Sequence, residues 1–315
     1  MRLKSGFTLI ELSIVLVIIG LIVGGILTGR DLIDAAAQRA QITQIERYQT
    51  SVRTFQGKYG GLPGDLPIAA QFGFQPRGLY NGEGDGNGIL ESNCGNTPNA
   101  AASNLQRCGE LAVFWQDLST AGLIDANMKG HDTNGLGYPW INGGSSLITP
   151  TSTPSLNGWF PSAKIGGANN FVYPTSYAAT GNYFTVSSIT SCCNNDIYSS
   201  ANPGITVQQA YNIDKKMDDG WPQSGNVTAC YTNYNVENYN LIYASGGMVK
   251  GANGGLLPNP NFGGCCSGSY CNPTTTATSP ASTDCFGNNN TTGTMTYSVS
   301  TNANTQNCAL SFKFQ

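Results

Sequence analysis

The stretch from Phe7 to Thr28, FTLIELSIVLVIIGLIVGGILT, constrains this chain more than any other part of it. It is long enough to cross a bilayer, since roughly 20 apolar residues span the hydrocarbon. It also contains an acid, Glu11. A charged residue at mid-membrane costs roughly 2.5–3.5 kcal/mol on insertion scales. An acid retained there marks a functional position whose partner has to be found. Arg2 and Lys4 precede the run, and the positive-inside rule keeps them on the cytoplasmic side.

Three readings of residues 1–29 compete. A secretory signal needs a small-residue cleavage site after the apolar core, and no convincing A-x-A site follows Leu27. A plain transmembrane anchor accounts for the length but not for Glu11. The third reading accounts for both. KSGFTLIEL, Lys4 to Leu12, resembles the prepilin processing motif of type IV pilins and type II secretion pseudopilins. The match covers the basic leader, the Gly6–Phe7 junction, Thr8, Leu9, Ile10, Glu11 and Leu12.

The resemblance implies that a dedicated membrane peptidase cuts after Gly6 and methylates the new amino terminus at Phe7. It implies that Glu11 pairs with the Phe7 amine of a neighbouring subunit in an assembled filament. The partners it implies are other pilin or pseudopilin subunits, the prepilin peptidase and an inner-membrane assembly platform. The precursor is expected as a single-pass inner-membrane protein with its head outside the cytoplasm, and the product as a periplasmic or extracellular filament. Elementary electrostatics agrees, because pairing a carboxylate with an ammonium offsets much of the cost of holding it in an apolar setting. A carboxylate neutralised by a proton is the plainer alternative.

After Gly29, Ile42, Ile45, Tyr48, Val52 and Phe55 recur at spacings of three and four, one stripe of an amphipathic helix. No proline interrupts residues 7–58, and Gly57, Gly60, Gly61 and Pro63 supply the stop. Gly20, Gly24 and Gly25 allow either a bend or close helix packing, and both stay open. The expected organisation is a leader at 1–6, a membrane or filament-core helix at 7–29, its amphipathic continuation at 30–56 and a globular head at 57–315.

KYGGLPGDLP, after the stem, resembles the exit segment of some larger pseudopilin-like proteins. In the head, ELAVFWQDLSTAGLI reads as a helix with Leu111, Phe114, Trp115 and Leu118 on one face. NYFTVSSI, NLIYASGGMV and CALSFKF read as strands. AYNIDKKMDDGWPQSGNVTAC reads as a helix, a turn and a strand. The predicted fold class is α+β, a long helix packed on an antiparallel sheet, pilin-like, with large disulfide-tied loop insertions.

Composition narrows the function. Only 10% of residues are charged and the net charge is −3; without Arg2 and Lys4 the balance is 13 basic against 18 acidic, or −5. No basic cluster follows the leader, so no nucleic-acid partner is expected. The ten cysteines are Cys94, Cys108, Cys192, Cys193, Cys230, Cys265, Cys266, Cys271, Cys285 and Cys308. An even number confined to the polar part predicts disulfides in an oxidising compartment. A zinc site would show paired C-x2-C or Cys/His spacing. Cys94 with Cys108 is the best single pair by position. The vicinal pairs 192/193 and 265/266 are expected to reach different partners.

NGEGDGNGILES places Glu83, Asp85, Asn87 and Gly88 at positions 1, 3, 5 and 6 of an EF-hand-like loop. Calcium needs that alternation of inward oxygens around a glycine turn. Cys94 stands where the bidentate Glu of position 12 belongs, and Glu91 is the candidate substitute. A turn without an ion is the alternative. Asp214, Asp218 and Asp219 form a second acidic patch, read as a helix end and turn. His131, the one histidine, has no evident catalytic partner. No G-x-S-x-G or Walker pattern is present, and no enzyme is expected. What remains is a structural filament subunit, of minor or specialised type, with an adhesive tip subunit that recognises a surface, a glycan or secreted cargo as the alternative.

Overall fold

The structure is a computed structural model that describes residues 8–77, 83–90, 109–130, 146–147, 157–177, 181–189, 191–192, 201–222, 224–229, 248–250, 256–258, 285–287 and 296–315. Helix α1 runs unbroken from Leu9 to Tyr59, about 76 Å at 1.5 Å per residue. Gly20, Gly24 and Gly25 lie inside it without a break. Its end comes at Tyr59 rather than at 56. Gly57 keeps helical geometry, and it is Gly60, with φ of 82°, that adopts the left-handed turn and donates its N–H to the Gln56 carbonyl. A residue with a side chain would be strained there.

Helix α1 has two halves of different character. From Leu9 to Ile33 its large apolar residues stand exposed, while Ile45, Val52 and Phe55 are buried in the head. The predicted stripe is therefore the docking face. Gln38, Gln41 and Gln44 extend that face toward the membrane end and are also buried. The Gln41 side-chain oxygen accepts the Lys164 N–H at 2.7 Å, and Gln44 donates to the Ser162 carbonyl at 2.9 Å. Amides are mostly exposed in folded proteins, so periodicity of apolar residues did not reveal them.

Helix α2, Gly109–Thr120, packs beside the stem. Strands β1 (Asn170–Tyr177) and β2 (Gly181–Ile189) form a hairpin. Short β3 (Ala201–Asn202) pairs with the end of β2, and helix α3 spans Val207–Met217. Strands β4 (Val227–Ala229) and β5 (Leu310–Lys313) complete an antiparallel sheet in the order β1–β2–β5–β4. The α+β class with an antiparallel sheet under a long helix is thus what the chain adopts.

Register sorts the two sheet faces. Val186 opposes Val172 and Leu310, and Phe312 opposes Phe184 and Val227. These side chains meet the helices, where Trp115 stacks on Phe184 at 5.7 Å and Tyr48 meets Trp115 edge-on at 4.7 Å. The other face carries hydroxyls. Tyr173 bonds Ser187 at 2.7 Å, and Thr185 bridges Thr175 at 2.9 Å and Ser311 at 3.2 Å. All five are buried, so each polar atom needs such a cross-strand partner. Strand β1 was not legible beforehand because Pro174 interrupts it. A proline is tolerated on an edge strand, where no ladder bond is lost.

Candidate functional site

The membrane end of the stem presents the first candidate. Leu9, Ile10 and every large apolar residue onward to Leu27 are about half exposed or more, from 49% at Val15 to 88% at Leu9. No part of the described head lies against them. Polar side chains within the run are satisfied on their own helix: Ser13 donates to the Ile10 carbonyl at 2.9 Å and Thr28 to the Gly24 carbonyl at 2.8 Å. That pattern hides hydroxyls from lipid and leaves Glu11 as the charge to be explained.

Glu11 is the third residue of the helix and Thr8 is its N-cap. The Glu11 carboxylate accepts the Thr8 N–H at 2.7 Å and the Thr8 hydroxyl at 2.8 Å, while Thr8 Oγ1 accepts the Glu11 N–H at 3.3 Å. This reciprocal capping box satisfies two orphan donors of the helix start. The spacing T-x-x-E was in the sequence and would have shown it. Gly6 and Phe7 lie outside the described residues.

The second candidate is the loop at 83–90. The structure brings Asp85 together with Asp65 and Glu110, their ligand oxygens within 4.8 Å of one another. Glu83 is buried and is not one of those three, Asn87 is exposed and touches the group at Asp85, and Glu91 lies outside the described residues. The loop turns its N–H groups toward the two buried acids. Gly86 and Gly88 donate to the two oxygens of Asp65 at 2.5 and 2.7 Å, and Gly84 donates to Glu110 at 2.6 Å. Gly84, Gly86 and Gly88 all have φ between 68° and 83°, the left-handed region that aims successive N–H groups inward. Asn87 instead bonds Asp85 and the Ile89 N–H. Burial raises the Asp65 carboxyl above its ordinary value, and the neighbouring Asp85 charge adds to it, against the bonds from Gly88, Gly86 and Glu110. Three carboxylates so close can share a proton or hold a hard divalent cation.

The acidic patch at the end of α3 is built differently. Asp214 is buried and accepts the Tyr297 hydroxyl at 2.7 Å and the Gly220 N–H at 3.1 Å. Burial, with Asp219 and Asp218 beside it, pushes its carboxyl up to about 7. Asp218 accepts the N–H groups of Asn226 and Val227, and Asp219 those of Trp221 and the Ser224 hydroxyl. The helix end and turn expected there are what the acids organise.

Cys285 and Cys308 form a disulfide. It closes the loop that precedes β5 and lies beside Tyr297, since Ser298 donates its N–H to the Cys285 carbonyl at 2.9 Å. Cys192 falls in a two-residue strand, Ser191–Cys192, paired with Ser146–Leu147. Cys94, Cys108, Cys193, Cys230, Cys265, Cys266 and Cys271 lie outside the described residues, as does His131.

Residues 1–27 match the family model described as the prokaryotic N-terminal methylation motif, the prepilin motif of type IV pilins and pseudopilins. No curated protein and no solved structure was found to match the chain. Helix α1 is, among the described residues, the helix long and apolar enough to cross a membrane. Motif and helix together support a pilin- or pseudopilin-type subunit, fit an inner-membrane-anchored precursor, and imply processing by a prepilin peptidase and assembly with other pilins.

Proposed function

We propose that this chain is a non-enzymatic structural subunit of a type IV pilus-like or type II secretion pseudopilus filament, of minor or specialised type. A peptidase cuts after Gly6 and methylates Phe7. The apolar half of α1 then passes from the inner membrane into the filament core, and the head forms the outer surface. The observation that supports this most directly is the bare half of α1: its apolar residues have no cover within the described chain and need lipid or other copies. In the assembled state the Glu11 carboxylate exchanges its Thr8 cap for the Phe7 amine of a neighbour, which makes it a register mark between otherwise featureless helices. The calcium expectation is carried forward within this proposal, now centred on Asp65, Asp85 and Glu110.

Mass spectrometry of the mature product tests the processing step. The expected mass begins at a methylated Phe7, and Gly6→Val accumulates as the uncut precursor. An intact leader, a cut beyond Leu27, or efficient trimming of Gly6→Val overturns the proposal. Sedimentation of sheared filaments with the chain present tests assembly.

A further inference from the structure

A cleft of about 490 Å³ opens where the docked half of the stem meets the edge of the sheet. The stem contributes Glu46, Gln49 and Arg53, spaced by three and four so that they share one face. Lys216 comes from the end of α3, Asn226 from the turn before β4, and Lys313 from β5. The floor is pinned by bonds to main-chain carbonyls. Gln49 donates to the Lys313 carbonyl at 3.1 Å, and the Lys313 N–H donates to the Asn226 carbonyl at 2.7 Å. The lining carries the cations of Arg53, Lys216 and Lys313 against the Glu46 carboxylate, with Asp218 held by the N–H groups of Asn226 and Val227, in a chain whose net charge is −3. Among the described residues neither Arg53, Lys216 nor Lys313 has a carboxylate partner, the ion pair found there being Arg77–Asp117.

The complementary charge lies on the same chain, out of its own reach. Asp31 and Asp34 are exposed on the bare part of α1, three residues apart on one helix face, and flank the exposed Leu32 and Ile33. They sit about 17 residues from the centre of the cleft along a straight helix, or about 25 Å. No side chain bridges that distance within one molecule. A parallel copy displaced along the stem axis by the same amount brings its acids to the cleft.

Resting on the filament reading above, we infer that the cleft formed by Arg53, Lys216 and Lys313 is a docking site for the Asp31–Asp34 segment of a second copy. Complementary charge of this kind selects register and suppresses wrong offsets. A contact between Glu11 and a neighbour's Phe7 spans four residues, or about 6 Å of helix rise. The two contacts therefore belong to different neighbours in the assembly.

The test is zero-length carbodiimide cross-linking of filaments made by the full chain, with the joined peptides identified by mass spectrometry. The expected links join Lys216 or Lys313 to Asp31 or Asp34, and the intramolecular distance makes any such link intermolecular. Lys216→Glu is expected to lower filament yield roughly fivefold, in the range of one exposed ion pair lost and one repulsion gained. Asp34→Lys in the same chain should restore it. Thermal melting of the Lys216→Glu precursor checks that the head still folds; the cross-linking readout on the unmutated chain does not depend on that variant. Filaments that form normally but yield no such link, or that are indifferent to Lys216→Glu, overturn the inference and leave the filament reading standing. Links from these lysines to other acids overturn the choice of occupant. Absence of the unmutated chain from any filament overturns the filament reading itself.

Discussion

The Glu11 carboxylate accepts both the backbone N–H and the hydroxyl of Thr8, at 2.7 and 2.8 Å. An acid set in an apolar helix is thus already hydrogen-bonded by its own helix start, before any neighbour arrives. The cap and the intermolecular role can be separated by mutation. Thr8→Ala removes a cap worth about 1 kcal/mol and should leave incorporation into filaments largely intact.

Glu11→Ala should insert in the membrane and be cut after Gly6 as usual, yet be incorporated into filaments at least tenfold less. Losing one partner of a buried ion pair costs about 3–5 kcal/mol. Immunoblots of sheared filaments against the membrane fraction read the ratio, and normal incorporation removes the register role.

Arg77 and Asp117 form an ion pair with both side chains buried. Arg77 also donates to the carbonyls of Gly64 and Gln75, and Asp117 accepts the Gly64 N–H at 2.7 Å. The pair straps the segment leaving the stem onto α2. Arg77→Met strands a buried carboxylate and should destabilise the head by about 3–5 kcal/mol. The melting temperature should fall by about 10 °C, given roughly 2–4 °C per kcal/mol for a head of this size. The double variant Arg77→Met/Asp117→Leu should recover part of the loss.

Asp214 gives the head a pH dependence whose sign is fixed. Its carboxyl is raised to about 7, so between pH 4 and 7 the folded chain keeps a proton that the unfolded chain releases. The corresponding stability is fully present below about pH 4 and is lost as pH rises through 7. Asp214→Asn should flatten this part of the melting profile. An unchanged slope between pH 5 and 8 would assign the effect elsewhere.

The Cys285–Cys308 bridge closes 23 residues of chain immediately before β5. Replacing both cysteines with alanine should cost about 3 kcal/mol by the loop-entropy relation. Because that relation acts on the unfolded chain, hydrogen exchange should quicken across the whole sheet. Quickening confined to Leu310–Lys313 would place the effect in the folded strand instead.

Calcium at Asp65, Asp85 and Glu110 should appear in isothermal titration of the full chain in detergent, and Asp85→Ala should remove it. Heat unchanged by that substitution excludes the cluster. No heat in the unmutated chain leaves the glycine N–H groups and a shared proton as the charge balance there.

The elements that announced themselves were those whose local pattern matches their final packing. The stem stripe, the face of α2 with Phe114 and Trp115, the α3-to-β4 passage and the alternating residues of β2 and β5 all point their apolar side chains inward. The rest depended on partners far away in the chain. Asp65 and Glu110 lie 45 residues apart, and no spacing rule joins either to Asp85. Gln41 and Gln44 are buried because the 162–164 segment offers them backbone groups. The Thr8 cap differs again: its T-x-x-E spacing is local, but the same carboxylate that reads as a charge in a membrane also serves its own helix.

Strand β5 lies between β2 and β4, so residues 310–313 bridge partners more than 120 and about 80 positions upstream. Pairing over such separations is slow. With the head exported as proposed above, it waits until the distal residues have crossed the bilayer, and the bridge from Cys308 to Cys285 closes only after that crossing.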